Sequence, residues 1–154
     1  SEIAKDTVLG ERLIKGRNIL VVKARGPGGN VGKPGEAIKT LVENNSAISL
    51  IVTVDAALMF EGEESGDVAE GVGAAIGGPG VERYKIEEVA TAHKIPTRAL
   101  ITKMSQKEAI SEIKPNLKES VDKIVYRLHR IIEHDVREGD TVIIAGIGNT
   151  LGVT

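Results

Sequence analysis

The sequence predicts an α/β fold in three layers, with a mainly parallel sheet and an antiparallel hairpin at its N-terminal edge. Four runs rich in β-branched residues are separated by stretches with helical periodicity, a pattern typical of right-handed crossovers between parallel strands. At the start of the chain, by contrast, two apolar runs are separated only by a short turn at residues 15–17, which is typical of a hairpin.

Length and composition limit the function classes. The 154 residues fit a single α/β domain over 1–154, large enough to bury a core. Because there are no cysteines, disulfides, thiolate catalysis and cysteine-ligated metals are excluded. A net charge of -2 and only two tyrosines and one phenylalanine argue against nucleic-acid binding. No apolar run is long enough to cross a bilayer, so no membrane contact by this segment is expected.

The two ends of the chain suggest a piece of a longer protein. Residue 1 is not methionine, which fits either removal of the initiator methionine or a trimmed start, and no helix pattern follows the last predicted strand to cover it. We therefore expect the soluble C-terminal part of a longer protein, with a cytoplasmic location.

A glycine-rich segment at residues 25–36 follows the strand at 18–24 and precedes a short amphipathic helix. Free backbone N–H groups beside a helix N-terminus can cradle an anion, and a lysine adds positive charge. The segment is neither a Walker loop nor a dinucleotide fingerprint, because Pro27, Val31 and Pro34 occupy required positions. An irregular surface loop is an equally good interpretation. As a binding loop it would supply Gly28, Gly29, Asn30, Gly32 and Lys33.

The central strand, at residues 48–54, is predicted to stop at Asp55 and to lead into an acidic loop. Carboxylates are the ligands that Mg²⁺ prefers, so Asp55, Glu61 and Glu63 form a candidate site for a divalent metal. An acidic run in a loop is more often simply solvated, and only Asp55 is favoured over that interpretation.

The rest of the chain is predicted to alternate helices and strands. Val68 and Val72 repeat at helical spacing after an Asp-x-x-Glu start, which predicts a helix over 67–76. Further helices are predicted at 82–94, with His93 packed at its end, and after Ser105. A strand is predicted at 98–103.

A long helix at 117–137 and a final strand at 141–145 complete the prediction. His129 and His134 lie off the apolar stripe of the long helix and are expected in solvent. That stripe comprises Leu117, Val121, Ile124, Val125, Leu128, Ile131, Ile132 and Val136. The final strand leads into a second glycine loop, whose predicted ligand contacts are Gly146, Gly148 and Asn149.

Loops that leave the carboxyl ends of parallel strands share one edge of the sheet. The glycine loop, the acidic loop, residues 104–106 and residues 146–152 are the four loops concerned. We therefore expect a small anionic ligand, phosphate-bearing or a nucleotide, to bind at this edge. Two alternatives stay open: a metal-dependent hydrolase or peptidase that uses carboxylates, and a non-catalytic assembly module forming a homo-oligomer. No catalytic residue is assigned.

Three groups of segments resemble an uncharacterised archaeal protein family known as a domain of unknown function. They are residues 22–29 with 32–37, residues 71–80 with 85–88, and residues 146–150. The match covers most of the chain. The resemblance implies an archaeal source and a longer protein with an upstream membrane-anchored segment, and it assigns no activity.

A fainter likeness connects the chain with hydrogenase-maturation and spore-germination proteases. Residues 146–149 are similar to their Gly-x-Gly-Asn loop, and Asp55 is similar to an acidic residue that closes a strand. In the maturation proteases this loop follows the first strand, whereas here it follows the last, and the acidic residue expected beyond it is missing. Proteolysis is therefore kept only as an alternative.

Overall fold

The computed structural model describes residues 2–4, 7–24, 34–45, 47–58, 68–73, 80–104 and 117–146. These ranges contain seven strands and three helices. In chain order they are β1 (Glu2–Ala4), β2 (Thr7–Ile14), β3 (Arg17–Ala24), α1 (Pro34–Asn44), β4 (Ile48–Leu58), β5 (Val68–Val72), α2 (Gly80–Ala92), β6 (Thr97–Met104), α3 (Leu117–Asp135) and β7 (Thr141–Gly146).

The strands form one sheet in the order β1-β2-β3-β7-β4-β6-β5. Its four central strands, β3, β7, β4 and β6, run parallel to one another. The hairpin β2-β3 adds an antiparallel edge with β1 outside it, and β5 forms a second antiparallel edge on the other side. The predicted α/β class with an antiparallel N-terminal hairpin is confirmed.

Strand β7 lies between β3 and β4, although it is the last described element of the chain. It is aligned residue by residue with both neighbours, so that Ile143 faces Leu20 on one side and Ile51 on the other. Residues 142–146 are all buried. A strand buried on both faces reads as a continuous apolar run, which is how Val-Ile-Ile-Ala appears in the sequence.

Helices cover both faces of the sheet and create two separate cores. Helices α1 and α2 pack on one face, where buried residues include Ile38, Leu41, Ile86, Val89, Leu20, Ile51 and Ile143. Helix α3 packs on the other, where they include Ile124, Ile131, Ile132, Leu50, Val52, Val54, Leu100, Val142 and Ile144. Successive strand side chains point to opposite faces, so β3, β4 and β7 each supply both cores. The predicted three layers are confirmed.

A bulge in β4 places residues two apart in the sequence, which would otherwise share one face of the sheet, in different cores. Ile48 is paired with Thr141 and Leu50 with Val142, so Ser49 is the extra residue on the bulged strand. As a result Ile48 joins the α1/α2 core while Leu50 joins the α3 core.

The tip of the β2-β3 hairpin is bonded to the C-terminal end of α3 and to the turn that follows it. The Nε of Arg17 donates to the carbonyl of Val136 at 3.0 Å, and Gly139 N donates to the carbonyl of Gly16 at 2.8 Å. Lys15 forms an ion pair with Glu133 in the last turns of the helix. Carbonyls near a helix C-terminus lack intrahelical donors, so Arg17 supplies a donor and a favourable charge there.

The prediction of a helix over 67–76 is wrong for residues 68–72. This stretch is β5, paired antiparallel with β6, so that Glu70 faces Leu100. Two glycines, Gly71 and Gly73, weaken a helix by about 1 kcal/mol each, whereas the open edge of β6 offers a full ladder of hydrogen bonds. Tertiary pairing therefore overrides the local helical pattern. Residues 74–79, also part of that prediction, lie outside the described residues.

Three smaller predictions on helices also need correction. His93 was expected to pack at a helix end, but it is exposed in a turn after α2. Val125 was placed in the apolar stripe of α3, yet 42% of it is exposed, while its neighbour Ile124 is fully buried. His129 was expected in solvent and is half-buried. The helix predicted after Ser105 lies outside the described residues.

Adjacent residues of α3 provide a direct test of which face is buried. Ile124→Ala removes a fully buried side chain and should lower the free energy of unfolding by about 2–5 kcal/mol. Val125→Ala, on the exposed side, should lower it by less than about 1 kcal/mol. Urea unfolding of both variants measures the difference, and equal losses would contradict the placement of α3.

The ion pair at the hairpin tip predicts a pH effect. Lys15 hydrogen-bonds to the Glu133 carboxylate and lowers the pKa of Glu133 below its usual value. The stabilisation is therefore present above the ordinary glutamate pKa of about 4.3 and is lost as the pH falls through the lowered pKa. In Lys15→Met, NMR titration should show the pKa of Glu133 rising towards its usual value.

Lys94→Met is the matched control for this variant. Both lysines have a positive φ, 48° at Lys15 and 56° at Lys94, so both substitutions carry the same backbone cost. Lys94→Met should leave the pKa of Glu133 unchanged. If the two variants gave the same titration curve for Glu133, the ion pair would not be the cause of the lowered pKa.

Candidate functional site

The carboxyl ends of the four parallel strands lie along one edge of the sheet, which we call the rim. Strands β3 and β7 end almost level, because Lys23 faces Gly146, whereas β4 continues beyond Val54, the partner of Gly146, to Leu58. Strand β6 ends beside β4, with Met104 opposite Leu58. The segments that follow these four strands therefore all leave from the rim, in the spatial order β3, β7, β4, β6.

Most of the predicted site residues lie outside the described residues. These are Gly28, Gly29, Asn30, Gly32, Lys33, Glu61, Glu63, Gly148 and Asn149. The two that are described, Asp55 and Gly146, lie on the neighbouring strands β4 and β7. Since Gly146 faces Val54, Asp55 comes one residue past the end of the β4-β7 ladder, at the rim.

The sequence predicts that the central strand stops at Asp55, and this prediction is wrong. Strand β4 continues to Leu58, because residues 55–58 pair with residues 101–104 of β6. Asp55 is only 8% exposed, and it shares the alternation of Ile51, which belongs to the α1/α2 core. A carboxylate held in a paired strand at the rim has a restricted position, which suits a metal ligand or a hydrogen-bond acceptor for a bound molecule.

Helix α1 starts on the same side of the sheet as Asp55. The segment at 25–33 connects Ala24, at the carboxyl end of β3, with Pro34, the first residue of α1. Pro34 and Gly35 are buried, and Ile38 and Leu41 anchor the helix in the core. The predicted order of strand, glycine-rich segment and amphipathic helix is thus confirmed, while the course of the segment itself is not described.

The candidate metal site depends on residues beyond the described ones. Within the described ranges no three His, Asp or Glu side chains lie close enough together to hold a metal ion. Glu61 and Glu63 belong to 59–67, which those ranges leave out. A divalent cation at Asp55, Glu61 and Glu63 stays a prediction.

A charged pocket that the sequence did not predict lies between α3 and the β5-β6 edge. This guanidinium pocket has a volume of about 350 Å³ and is lined by Glu70, Arg98, Arg127, Arg130, Ile131, His134 and Asp135. The α3 members follow the spacing i, i+3, i+4, i+7, i+8, which marks one side of a helix. Arg127, Arg130 and His134 are outside the apolar stripe of α3, and only the position of the strands shows that they border a cavity.

Two ion pairs cross the guanidinium pocket. Arg98 Nη2 lies 3.1 Å from Asp135 Oδ2, whereas Arg127 Nη1 lies 4.0 Å from Glu70 Oε1. The guanidinium carbon of Arg130 lies 5.9 Å from the centre of the Tyr126 ring. All four charged partners in the ion pairs are between 31 and 40% exposed, so the pocket opens to solvent.

None of the described helices combines the length and apolarity that crossing a bilayer requires.

No curated protein matches the chain. A protein family matches it over residues 1–154, the whole length, and its description agrees with the predicted resemblance to an uncharacterised family. The archaeal source and the likeness to proteases stay predictions. The chain belongs to the family described as the C-terminal part of a domain of unknown function (DUF1512).

Proposed function

We propose that this domain binds a small phosphate-bearing ligand, such as a nucleotide, at the rim. The observation that carries the proposal is the shared position of the carboxyl ends of β3 and β7, with Asp55 of β4 one residue past the β4-β7 ladder. In open α/β sheets, ligands bind in the crevice outside the carboxyl ends of the strands. Here the two glycine-rich segments leave from neighbouring strands at that edge, so both can reach one ligand.

The residues at the rim would have different roles in binding the ligand, according to their chemistry. Backbone N–H groups at Gly28, Gly29 and Asn30 would donate to phosphate oxygens, and Lys33 would add a positive charge before α1 begins. Gly146 and Gly148 would allow the ligand to approach the backbone closely, with Asn149 as a further donor. Asp55, with Glu61 and Glu63, would hold a divalent metal such as Mg²⁺ against the phosphate.

One observation supports hydrolysis as a second function. Asp55 is a carboxylate only 8% exposed, and it lies one residue past the end of the β4-β7 ladder. A carboxylate in such a position can hold a divalent metal that activates water. This alternative differs from simple binding because it requires the metal even without a nucleotide.

We also propose a cytoplasmic location for this segment, attached in the full-length protein to an upstream membrane anchor. The absence of cysteine supports it, because disulfides are a feature of extracellular compartments rather than of the cytosol.

Thermal unfolding with a panel of nucleotides, with and without Mg²⁺, tests the binding proposal. A nucleotide at 100 times its dissociation constant should stabilise the parent protein by about 2.7 kcal/mol. Lys33→Ala and Asp55→Asn should each weaken binding about tenfold, which reduces that gain by about 1.4 kcal/mol. Lys94→Ala is the control, because Lys94 is exposed in a turn after α2. It should behave like the parent.

The other outcomes distinguish the alternatives. If no nucleotide stabilises the parent, the binding proposal fails. Stabilisation by divalent cations alone, lost in Asp55→Asn, would favour metal-dependent hydrolysis. If all variants behave alike and native mass spectrometry shows a defined oligomer, the assembly module is the better interpretation. Native mass spectrometry would also detect a ligand that co-purifies.

A further inference from the structure

The guanidinium pocket is separate from the rim. Arg98 is the second residue of β6, whose other end, Met104, lies at the rim. The pocket therefore lies near the amino end of this strand, on the face covered by α3. Asp55 shares its alternation with the α1/α2 face. A ligand at the rim would not reach these arginines, so the pocket needs its own explanation.

The pocket is held in place by core packing. Ile131 lines it and is only 5% exposed, because it belongs to the core beneath α3. Arg127 and Arg130 lie four and one residues before Ile131 on the same helix, so its packing fixes the side of α3 that carries them. Across the pocket, Glu70 and Arg98 lie on the paired strands β5 and β6, whose backbone positions are set by the ladder.

The pocket carries more positive charge than its own carboxylates balance. Three arginines face two acids, which leaves a formal charge of +1 with His134 neutral, in a chain whose net charge is -2. Among the three arginines, only Arg98 has a close carboxylate partner in the part of the chain that the structure describes, Asp135 at 3.1 Å. The 4.0 Å between Arg127 and Glu70 is too long for a hydrogen bond. The described contact of Arg130 is with the Tyr126 ring.

Two guanidinium groups that line the cavity therefore have no close acceptor among the described residues. A guanidinium group presents a rigid fork of N–H donors that matches the oxygens of a carboxylate or a phosphate. The ring of Tyr126 helps to orient Arg130, since an arginine over an aromatic face is electrostatically favoured. These features are those of a preorganised anion site.

We propose that the guanidinium pocket binds a small anion carrying phosphate or carboxylate groups, with Arg127 and Arg130 as its donors. The Arg98–Asp135 pair forms one wall of the site. The volume of about 350 Å³ suits a small molecule. Glu70 and Asp135, which also line the pocket, would repel the extended backbone of a nucleic acid, so a compact anion is the better fit.

Titration of the full chain with inorganic pyrophosphate and, separately, with citrate tests the proposal at constant ionic strength. Calorimetry should show saturable binding of at least one probe. Amide NMR shifts should cluster at Ile131 and His134 rather than at Gly146. Binding of pyrophosphate alone identifies a phosphate ligand, binding of citrate alone a carboxylate ligand, and binding of both an anion site with broad tolerance. Each of these results supports the proposal.

Arg130→Gln and Arg127→Gln should each weaken that binding about tenfold and leave the melting temperature without ligand unchanged. The matched control is Arg83→Gln, because Arg83 also lies on an exposed helix surface but pairs with Glu87 on α2, across the sheet. It should bind like the parent. The proposal fails if neither probe saturates, if all three variants bind alike, or if Lys33→Ala rather than Arg130→Gln abolishes binding. In that last case the anion binds at the rim.

Discussion

The fold depends on the double pairing of β7. In the described sheet, the three N-terminal strands and the group β4, β6 and β5 are joined only through hydrogen bonds to this strand. Its side chains enter both cores, with Ile143 and Ala145 on the α1/α2 side and Val142 and Ile144 on the α3 side. Fully burying one aliphatic side chain contributes about 1.5–3 kcal/mol. The same residues therefore set the sheet order, stabilise both layers and align the rim.

The two proposed sites follow from that arrangement in different ways. At the rim, the ladder between β3, β7 and β4 brings together segments that are remote in sequence. At the guanidinium pocket, β5 adds an edge strand to the sheet beside β6. Charged side chains of α3 therefore face this edge of the sheet rather than open solvent. The rim depends on where the parallel strands end. The guanidinium pocket depends on the position of α3 relative to β5 and β6.

The sequence was most informative where burial and periodicity agree. The β-branched run before Asp55 and the stripe containing Ile124 and Ile131 predicted β4 and α3, because core positions leave a strong pattern. Prediction failed at residues 68–72, where a local helical spacing competed with the free edge of a distant strand. Arg127 and Arg130 could not be recognised as a pocket, since charged residues outside an apolar stripe look alike whether they face solvent or another element.

The central place of β7 also sets the order of events during synthesis. Asn18 must find Thr141, a pairing that spans most of the described chain, and such non-local contacts slow folding. A ribosome adds about 5–20 residues per second, so β3 and β4 are made seconds before the strand that joins them. During that interval each presents an unpaired backbone edge. Until β7 has been made and has paired with both strands, these edges can pair with other chains, which is a route to aggregation.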